Sequence, residues 1–563
     1  MSQTMTSERG QRTDAKTYKN YIGGRWVESK SGRTFASSNP AHKDQVLGVM
    51  QASNPDDVNA AIEAAHKAFT GWRRTPAPAR GEIVLKAGLL LEERKEELAR
   101  LMTQEMGKVL KEARGDVQEA IDMAKYAAAL GRLPHGETVP SELKNKWCMT
   151  VRAPLGVVAC ITPWNFPMAI PSWKILPALM AGNAVVFKPA SDTPIIATKL
   201  VEILEEAGLP GGVLNLVTGS GNEVGDPLVK DPRVQAISFT GSTEAGRKIA
   251  ESAGRNLKRL GLELGGKNCI VVLDDADVPL AVDGALWAAF GTAGQRCTAA
   301  SRLIVDKKVE KDFTDLLQER AAKMKVGDGL LPDTDMGPVI NEAAVKKVHE
   351  YTEIGKKDHA RLVHGGEFAG TDGWFYRPTI FADGRKEMRM AQEEIFGPST
   401  LVHAGERTSG GPRRSELDPV RALDVDLHQR PAQGLSRDGR DAVGDRVRQR
   451  AHHRRRDSAA LRWREEYRER PSRGGHRGPG RVHGVEDDLR RLQRPAPAGP
   501  DRHGGIVPSR SRPTRFTSST LGSGRSGTST RDPAIRCSCA MASSGRSRIF
   551  IPGPRRSRGT AES

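Results

Sequence analysis

Four short stretches of this sequence carry side-chain types that together can perform covalent catalysis. Cys297 lies in AAFGTAGQRCTAASR, where it follows two glycines and an arginine in a loop able to leave a thiol exposed beside backbone N–H groups. Asn165 lies in TPWNFP, Glu263 in LELGGKN and Glu394 in EEIFGP. Together these residues supply a nucleophile, an amide donor for an oxyanion, a general base and a polar clamp.

Each of these residues has a simpler explanation when it is considered alone. A lone cysteine is more often an inert buried residue than a nucleophile. Asn165 by itself fits a turn, and either glutamate by itself fits a solvated surface charge. Only the combination of the four stretches favours a catalytic site over these explanations.

A fifth stretch, FTGSTEAGRKIA, is a candidate anion site. An apolar strand is predicted through residues 234 to 240 and leads into Gly241, Ser242 and a helix, so that free N–H groups and a hydroxyl are available to a phosphate. The same stretch fits a capped helix with Ser242 or Thr243 as the cap equally well. The glycines of TGSGNEVG lack the G-x-G-x-x-G spacing and indicate only a turn.

The predicted secondary structure around these stretches changes near residue 155, from long helices to alternating strands and helices. Before it, long helical segments are predicted, the first opening at NPDDVNAAIEAAHKAF with Asn54 as the cap and Pro55 at the first helical position. After it, short apolar runs such as LGVVACIT, AVVFKP and VQAISFTG alternate with helical stretches. Strands buried on both faces and separated by helices predict a parallel, doubly wound α/β sheet, whose ligands sit beyond the carboxyl ends of the strands.

The charge of the chain divides at Ala404. The 563 residues carry a formal net charge of +18. Residues 1–403 hold 52 basic and 51 acidic residues, whereas residues 404–563 hold 35 Arg, 18 acidic residues and no Lys, so the tail carries +17 of the total. Because the head is nearly neutral, we expect no nucleic-acid partner for it.

The composition of the tail indicates a change of reading frame. Either cation neutralises a phosphate, so a basic binding surface has no reason to exclude Lys, whereas a GC-rich gene read in the wrong frame lacks the A-rich Lys codons. We therefore hypothesise a frameshift between about Pro398 and Arg414. Only 21 of the 160 tail residues are Leu, Ile, Val or Phe, which predicts disorder. The alternative is a natural Arg-rich tail that binds nucleic acid on a non-enzymatic body.

The head has the features of a soluble cytoplasmic protein. It contains no run of 18 uncharged apolar residues, and its N-terminus lacks the apolar core of a signal peptide. Its cysteines, Cys148, Cys160, Cys269 and Cys297, have neither C-x-x-C spacing nor histidine partners. We therefore expect no membrane partner, no disulfide framework and no metal site.

The four catalytic stretches resemble the motifs of the NAD(P)-dependent aldehyde dehydrogenase superfamily in content, order and spacing, over about residues 20–402. The resemblance implies that Cys297 attacks the aldehyde carbonyl and that Asn165 and the Cys297 N–H hold the oxyanion. Hydride then passes to the nicotinamide, and Glu263 activates the water that releases a carboxylic acid. Relatives that transfer the acyl group to CoA lack this glutamate, so we do not expect transfer to CoA.

The resemblance also implies a site for NAD or NADP. It places Lys188 and Glu394 on ribose hydroxyls, Ser242 on the pyrophosphate, and Trp164 and Phe396 along the nicotinamide.

Ser191 is a departure from the pattern of many NAD-selective family members. They have a glutamate three residues after the lysine, where the stretch KPASDTP of this chain has Ser191. A carboxylate repels a 2′-phosphate, whereas a serine can accept one, so we expect NADP to be tolerated or preferred.

The fold implied by the resemblance is α/β, with a Rossmann-type cofactor domain, an α/β catalytic domain and self-association as a dimer or tetramer. The expected segments are the NAD(P)-binding domain in residues 1–138 and 156–265, an oligomerisation hairpin in 139–155, a truncated catalytic domain in 266–403 and a disordered tail in 404–563. The stretch FKPASDTPIIATKLVEILEEAGLP most resembles members acting on semialdehydes such as 2-oxoglutarate semialdehyde. The expected partner is therefore a small aldehyde.

The family pattern is lost after the EEIFGP stretch. Family members continue into further strands, a Pro-Phe-Gly-Gly loop lining the substrate pocket and a strand that pairs across the dimer, none of which is recognisable in the encoded frame. Apolar surface and strand edges would then stay open. We therefore expect the chain as encoded to fold poorly, aggregate or be inactive. The alternative is a non-enzymatic, dehydrogenase-like body that carries a nucleic-acid-binding tail.

The frameshift hypothesis predicts the result of resequencing the gene across the codons of residues 395 to 415. We expect another downstream frame to restore lysine codons and a Pro-Phe-Gly-Gly loop. If no frame restores them, the Arg-rich tail is genuine, and steeply salt-dependent binding of nucleic acid by the tail becomes the expected property.

Overall fold

The computed structural model describes residues 15–133 and 135–405, together with the backbone of residues 424–427. The disorder predicted for residues 404–563 therefore concerns a region that lies outside the described residues, with two exceptions. Ala404 and Gly405 complete a strand, and residues 424–427 form another. At these positions the chain forms strands, although we expected disorder from Ala404 onwards.

Strands and α-helices alternate along much of the described chain. The strands are β1 (Asn20–Ile22), β2 (Arg25–Val27), β3 (Thr34–Asn39), β4 (His42–Gln51), β5 (Thr138–Val139), β6 (Cys148–Met149), β7 (Val157–Ile161), β8 (Ala184–Lys188), β9 (Leu214–Leu216), β10 (Val234–Thr240), β11 (Arg259–Glu263), β12 (Asn268–Val272), β13 (Ala300–Asp306), β14 (Arg361–His364), β15 (Thr379–Ala382), β16 (Ser399–Gly405) and β17 (Asp424–Leu427). The α-helices are α1 (Pro55–Trp72), α2 (Ala77–Glu93), α3 (Lys95–Met106), α4 (Leu110–Leu130), α5 (Ala169–Met180), α6 (Pro194–Glu206), α7 (Asp226–Lys230), α8 (Thr243–Arg255), α9 (Val278–Phe290), α10 (Glu310–Ala322), α11 (Glu342–Lys357) and α12 (Arg389–Gln392).

The first helix begins as its sequence predicts. The Asn54 side chain accepts hydrogen bonds from the backbone N–H groups of Asp56 and Asp57, and the Asp57 carboxylate accepts one from the Asn54 N–H. Pro55 occupies the first helical position, where its missing N–H costs nothing. This reciprocal cap satisfies three N–H groups at the start of α1.

One sheet of seven strands has the order β11-β10-β7-β8-β9-β1-β2. Strands β7 to β11 pair in parallel, while β1 and β2 extend the sheet in antiparallel orientation. Every residue of β7 and β8 is buried, because helices cover both faces of the sheet and apolar side chains can point to either side. The prediction of a doubly wound parallel sheet is confirmed for this part of the chain.

A second sheet of six strands has the order β14-β15-β16-β13-β12-β17. Its central strands pair in parallel, and β17 adds to the outside of β12 with Asp424 opposite Cys269. Its apolar core is separate from those of the first sheet and includes Phe290, Leu303 and Phe313. The α/β class predicted for the catalytic part is confirmed, whereas the domain boundaries at residues 138, 155 and 265 stay predictions.

Strands β5 and β6 form a small hairpin within residues 138–149. Its apolar side chains face outwards, with Trp147 75% and Leu143 67% exposed. The role in self-association predicted for residues 139–155 stays a prediction. In the described part of the chain, no helix is long and apolar enough to cross a membrane.

Candidate active site

The carboxyl ends of neighbouring parallel strands gather the predicted residues at one edge of the first sheet. Lys188 is the last residue of β8, Asn165 follows β7, Ser242 follows β10, and Glu263 is the last residue of β11. Because β11, β10, β7 and β8 are neighbours in the sheet, these four positions lie along one edge. This is the edge where ligands bind in open α/β sheets.

Cys297 stands at the exposed end of an otherwise buried loop. The loop leaves α9 through the 3₁₀ turn Gly291–Gly294 and passes Gln295 and Arg296, which are 0% and 8% exposed. Cys297 itself is exposed and carries a free thiol. The Asn268 side chain donates a hydrogen bond of 2.6 Å to the Cys297 carbonyl oxygen, which fixes the backbone at the nucleophile.

Asn165 contacts this loop directly. Its Nδ2 donates to the carbonyl oxygen of Gln295, two residues before Cys297, at 2.9 Å, and the side chain is buried. Among the residues that the structure describes, the second N–H of this amide has no partner. The structure therefore brings Asn165 to the loop that carries Cys297, whereas the oxyanion role predicted for its amide stays a prediction.

A buried ion pair holds the loop that carries Asn165. Lys108 Nζ lies 2.9 Å from an Asp116 carboxylate oxygen and donates to the Asn165 carbonyl oxygen at 2.7 Å. The other Asp116 oxygen accepts the backbone N–H of Ala169 at 2.7 Å. Both charged side chains are fully buried, so each needs the other to offset its lost hydration. Sequence reasoning missed both residues, because neither falls in a recognisable motif.

Glu263 lies within electrostatic reach of the nucleophile. Desolvation is the main cause of the raised pKa of the Cys297 thiol; the Glu263 carboxylate adds to this rise and opposes the fall in the pKa of Lys174. Lys174 on α5 is buried and donates to the Ser238 hydroxyl at 3.1 Å. Burial nevertheless leaves the pKa of Lys174 below its usual value. Lys174 is a third residue that the sequence did not single out, since an isolated lysine on an apolar helix carries no motif.

Glu394 reaches the first sheet through the glycines of LELGGKN. Its Oε1 accepts the backbone N–H of Gly266 at 3.3 Å, and its other oxygen packs where a side chain on Gly265 would stand. Desolvation raises the pKa of this carboxyl, against the opposing effects of the Gly266 N–H and nearby lysines. Phe396, two residues later, packs edge-on against Trp164 with 5.4 Å between ring centroids. The structure therefore brings Trp164 against Phe396, two residues after Glu394, while the cofactor contacts predicted for all three stay predictions.

The remaining predicted cofactor residues all have protein partners. The Lys188 ammonium donates to the Pro189 carbonyl oxygen at 2.9 Å, and its burial lowers its pKa to about 8. The Ser191 hydroxyl donates to the Gly219 carbonyl oxygen at 3.1 Å. Ser242 caps α8 by accepting the Ala245 N–H at 3.2 Å. Of the two caps that the sequence allowed, Ser242 is therefore the one observed.

The surroundings of Cys297 disfavour its thiolate. Although the residue keeps exposed surface, the protein around its sulfur displaces water, and this desolvation is the main cause of a raised pKa. The carboxylates of Glu394 and Glu263 raise the pKa further by repulsion. Since the thiolate and not the thiol is the nucleophile, these surroundings oppose reaction at the Cys297 sulfur.

Comparison with known proteins identifies the family. A model of the aldehyde dehydrogenase family matches residues 26–407. The chain is 48% identical over 383 residues to a 2,5-dioxopentanoate dehydrogenase of Saccharolobus solfataricus, covering 68% of this chain and 80% of that protein. It is 42% identical over 390 residues to an alpha-ketoglutaric semialdehyde dehydrogenase of Bacillus subtilis, covering 69% and 80%. A crystal structure of Staphylococcus aureus betaine aldehyde dehydrogenase in complex with NAD+ superimposes with a TM-score of 0.71 at 36% identity, covering 73% and 83%.

The electrostatics of Cys297 predict the effect of Glu394→Gln on its alkylation by iodoacetamide. Because the substitution removes a carboxylate that raises the thiol pKa, we expect the midpoint of the rate–pH profile to move to lower pH and the rate near neutral pH to rise several-fold, within about tenfold. The rates are measured by peptide mass spectrometry of the native protein. Glu393→Gln is the control, since Glu393 pairs with Arg389 and does not act on the thiol. An unchanged midpoint in Glu394→Gln would contradict this origin of the raised pKa.

Proposed function

This chain belongs to the aldehyde dehydrogenase family, and from that premise we propose that it oxidises a small aldehyde to the carboxylic acid with covalent catalysis at Cys297. The observation that carries the proposal is the hydrogen bond from Asn165 Nδ2 to the carbonyl oxygen of Gln295, two residues before Cys297, which brings an amide donor to the cysteine loop. Glu263 within reach of the same thiol supports the hydrolytic half of the reaction.

In the proposed mechanism the Cys297 sulfur attacks the aldehyde carbon after losing its proton. Because the pKa of the thiol is raised, the attack requires a proton acceptor, and Glu263 is a carboxylate placed to take that proton. The oxyanion accepts hydrogen bonds from the Asn165 amide and from the backbone N–H of Cys297. After oxidation the acyl group is a thioester on Cys297. Once Glu263 has released the thiol proton to solvent, it can withdraw a proton from the attacking water, and the Cys297 thiolate leaves as the carboxylic acid is released.

The donor set at the strand ends fits NAD or NADP. The Lys188 ammonium and the Ser242 hydroxyl, with the first N–H groups of α8, offer positive and donor groups to ribose and phosphate. Glu394 offers a carboxylate to hydroxyl groups at the other end, and Trp164 and Phe396 offer flat apolar contacts to a nicotinamide ring. When bound there, the dinucleotide would supply the acceptor for the hydride.

For the substrate we propose a semialdehyde that carries a carboxylate, of the 2-oxoglutarate semialdehyde class. The support is the likeness to relatives named for 2,5-dioxopentanoate and alpha-ketoglutaric semialdehyde. We propose also that the sequence after residue 407 limits the activity of the encoded chain, since the family match ends there and these relatives are covered over 80% of their length.

The proposed reaction predicts aldehyde-dependent formation of reduced nucleotide, measured by absorbance on the encoded chain and on a version with the downstream frame restored. We expect the restored enzyme to be the more active, to prefer 2,5-dioxopentanoate to an uncharged aldehyde of equal length in kcat/KM, and to lose all turnover in Cys297→Ala. Glu263→Gln should lower turnover by about 10²-fold or more. The control is Cys148→Ala, which removes a half-buried thiol in the hairpin and should leave the enzyme active. Turnover that persists in Cys297→Ala would refute covalent catalysis at this residue.

The position of Ser191 predicts the choice between the two dinucleotides. We expect kcat/KM with NADP to equal or exceed that with NAD, and Ser191→Glu to reverse the preference by about tenfold or more, because a carboxylate repels the 2′-phosphate. Ser191→Ala removes the hydroxyl without adding charge and so separates repulsion from loss of a donor. A kcat/KM with NADP that is below roughly one tenth of the kcat/KM with NAD in the unaltered enzyme would contradict the prediction.

A further inference from the structure

We propose that Glu112, on helix α4, is a positioning residue for the nucleophile: its carboxylate holds the strained start of the loop that presents Cys297, with Arg296 as its counter-charge. The proposal rests on the role proposed above for Cys297. It adds to that role a residue 185 positions earlier in the chain, outside every motif in the sequence.

The loop before Cys297 contains backbone that L-residues disfavour. Thr292 and Ala293 have φ angles of +54° and +52°, and Gly294 follows at +68°. Only glycine adopts this left-handed region freely, and a β-branched threonine is among the residues least suited to it. Two such non-glycine residues in succession persist only where surrounding structure fixes them, and such residues cluster at functional sites.

Glu112 supplies the groups that fix Thr292. Its two carboxylate oxygens accept the Thr292 backbone N–H at 3.1 and 2.9 Å, and one of them accepts the Thr292 hydroxyl at 3.0 Å. The Arg296 guanidinium pairs with the same carboxylate and donates from Nε to the Thr292 hydroxyl oxygen at 2.9 Å. The three side chains form a closed ring of hydrogen bonds around the first left-handed residue.

The packing around Arg296 holds its guanidinium against Glu112 and Thr292. Its guanidinium lies over the Trp287 ring, 4.3 Å from the centroid, and against Gly291, where a Cβ would be 2.5 Å from a guanidinium nitrogen. Arg296 is only 8% exposed. Although it directly precedes the nucleophile, its charge is engaged by Glu112, so we assign it to the loop and not to a substrate carboxylate.

The same face of α4 also supports the oxyanion side of the site. Glu112 and Asp116 are four residues apart, so their side chains leave one face of the helix one turn apart. Glu112 holds the loop that ends at Cys297, and Asp116, with Lys108, holds the loop that carries Asn165. A single rigid helix therefore sets the distance between the nucleophile and the amide that would bind its oxyanion.

The test is the rate and pH profile of Cys297 alkylation by iodoacetamide in the full encoded chain, compared between the unaltered protein and Glu112→Gln. Glutamine keeps an acceptor for the Thr292 N–H but removes the charge that pairs with Arg296. We expect the freed loop to give the thiol more water, so that the midpoint falls and the rate near neutral pH rises by about threefold to tenfold. Aldehyde turnover, measured for the same substitution in the version with the downstream frame restored, should move in the opposite direction and fall by about tenfold or more, because the thiol is less well placed.

The control and the rescue separate positioning from general destabilisation. Asp122→Asn alters an exposed carboxylate on the same helix, bonded only to Gln118 among the described residues, and should change neither the alkylation nor the turnover. Thr292→Gly relieves the strain at its source, so in that background Glu112→Gln should have a smaller effect on alkylation. A purely structural role of Glu112 would lower the unfolding temperature but leave the midpoint unchanged and gain nothing from Thr292→Gly.

The outcomes also distinguish this proposal from the proposed function. Identical alkylation profiles for the unaltered chain and Glu112→Gln would overturn the positioning role, whatever the activity. A shifted profile rescued by Thr292→Gly would support the positioning role even in a chain without aldehyde turnover, because alkylation requires neither aldehyde nor dinucleotide. Absence of turnover in a folded enzyme with restored frame would count against the proposed function alone.

Discussion

The arrangement of this site depends on the carboxylates that α4 presents from one face. Asp116 and Lys108 are both fully buried and pair at 2.9 Å, and the Lys108 ammonium also bonds the Asn165 carbonyl oxygen. Glu112, one turn earlier, bonds the start of the cysteine loop. One helix therefore holds two loops that are more than 120 residues apart in the chain.

The parallel sheet supplies the second constraint. Because β8, β7, β10 and β11 are neighbours and run in one direction, the residues at their carboxyl ends must meet at one edge. The second sheet contributes Cys297 and Glu394 to the same place by close backbone approach. Gly265 and Gly266 admit the Glu394 carboxylate, and a side chain on Gly294 would collide with Gly397 beyond it. These positions therefore need glycine because the neighbouring atoms leave no space for a Cβ, and not only because of backbone conformation.

The sequence predicted the parts of this structure that rest on local pattern. The buried strands β7 and β8, the capped start of α1 and the grouping of Asn165, Cys297 and Glu394 follow from apolar runs, cap residues and short motifs. It could not predict Glu112, Asp116 or Lys108, because charged residues on a helical segment look like solvated surface until the distant partner is known. Nor could it predict β17, since strand pairing with β12 depends on contacts made across the fold.

The charges around Cys297 are arranged against spontaneous reactivity. Desolvation and the carboxylates of Glu394 and Glu263 all raise the pKa of the Cys297 thiol, which disfavours the reactive thiolate. The pKa of Glu394 is itself raised by desolvation and held down in part by Lys347 and Lys267, so its charge depends on how much water reaches it. A ligand that hydrogen-bonds Glu394 and draws it away from the sulfur would weaken this repulsion. Under the proposed function, a dinucleotide held by Glu394 would be such a ligand, so its binding would favour the Cys297 thiolate.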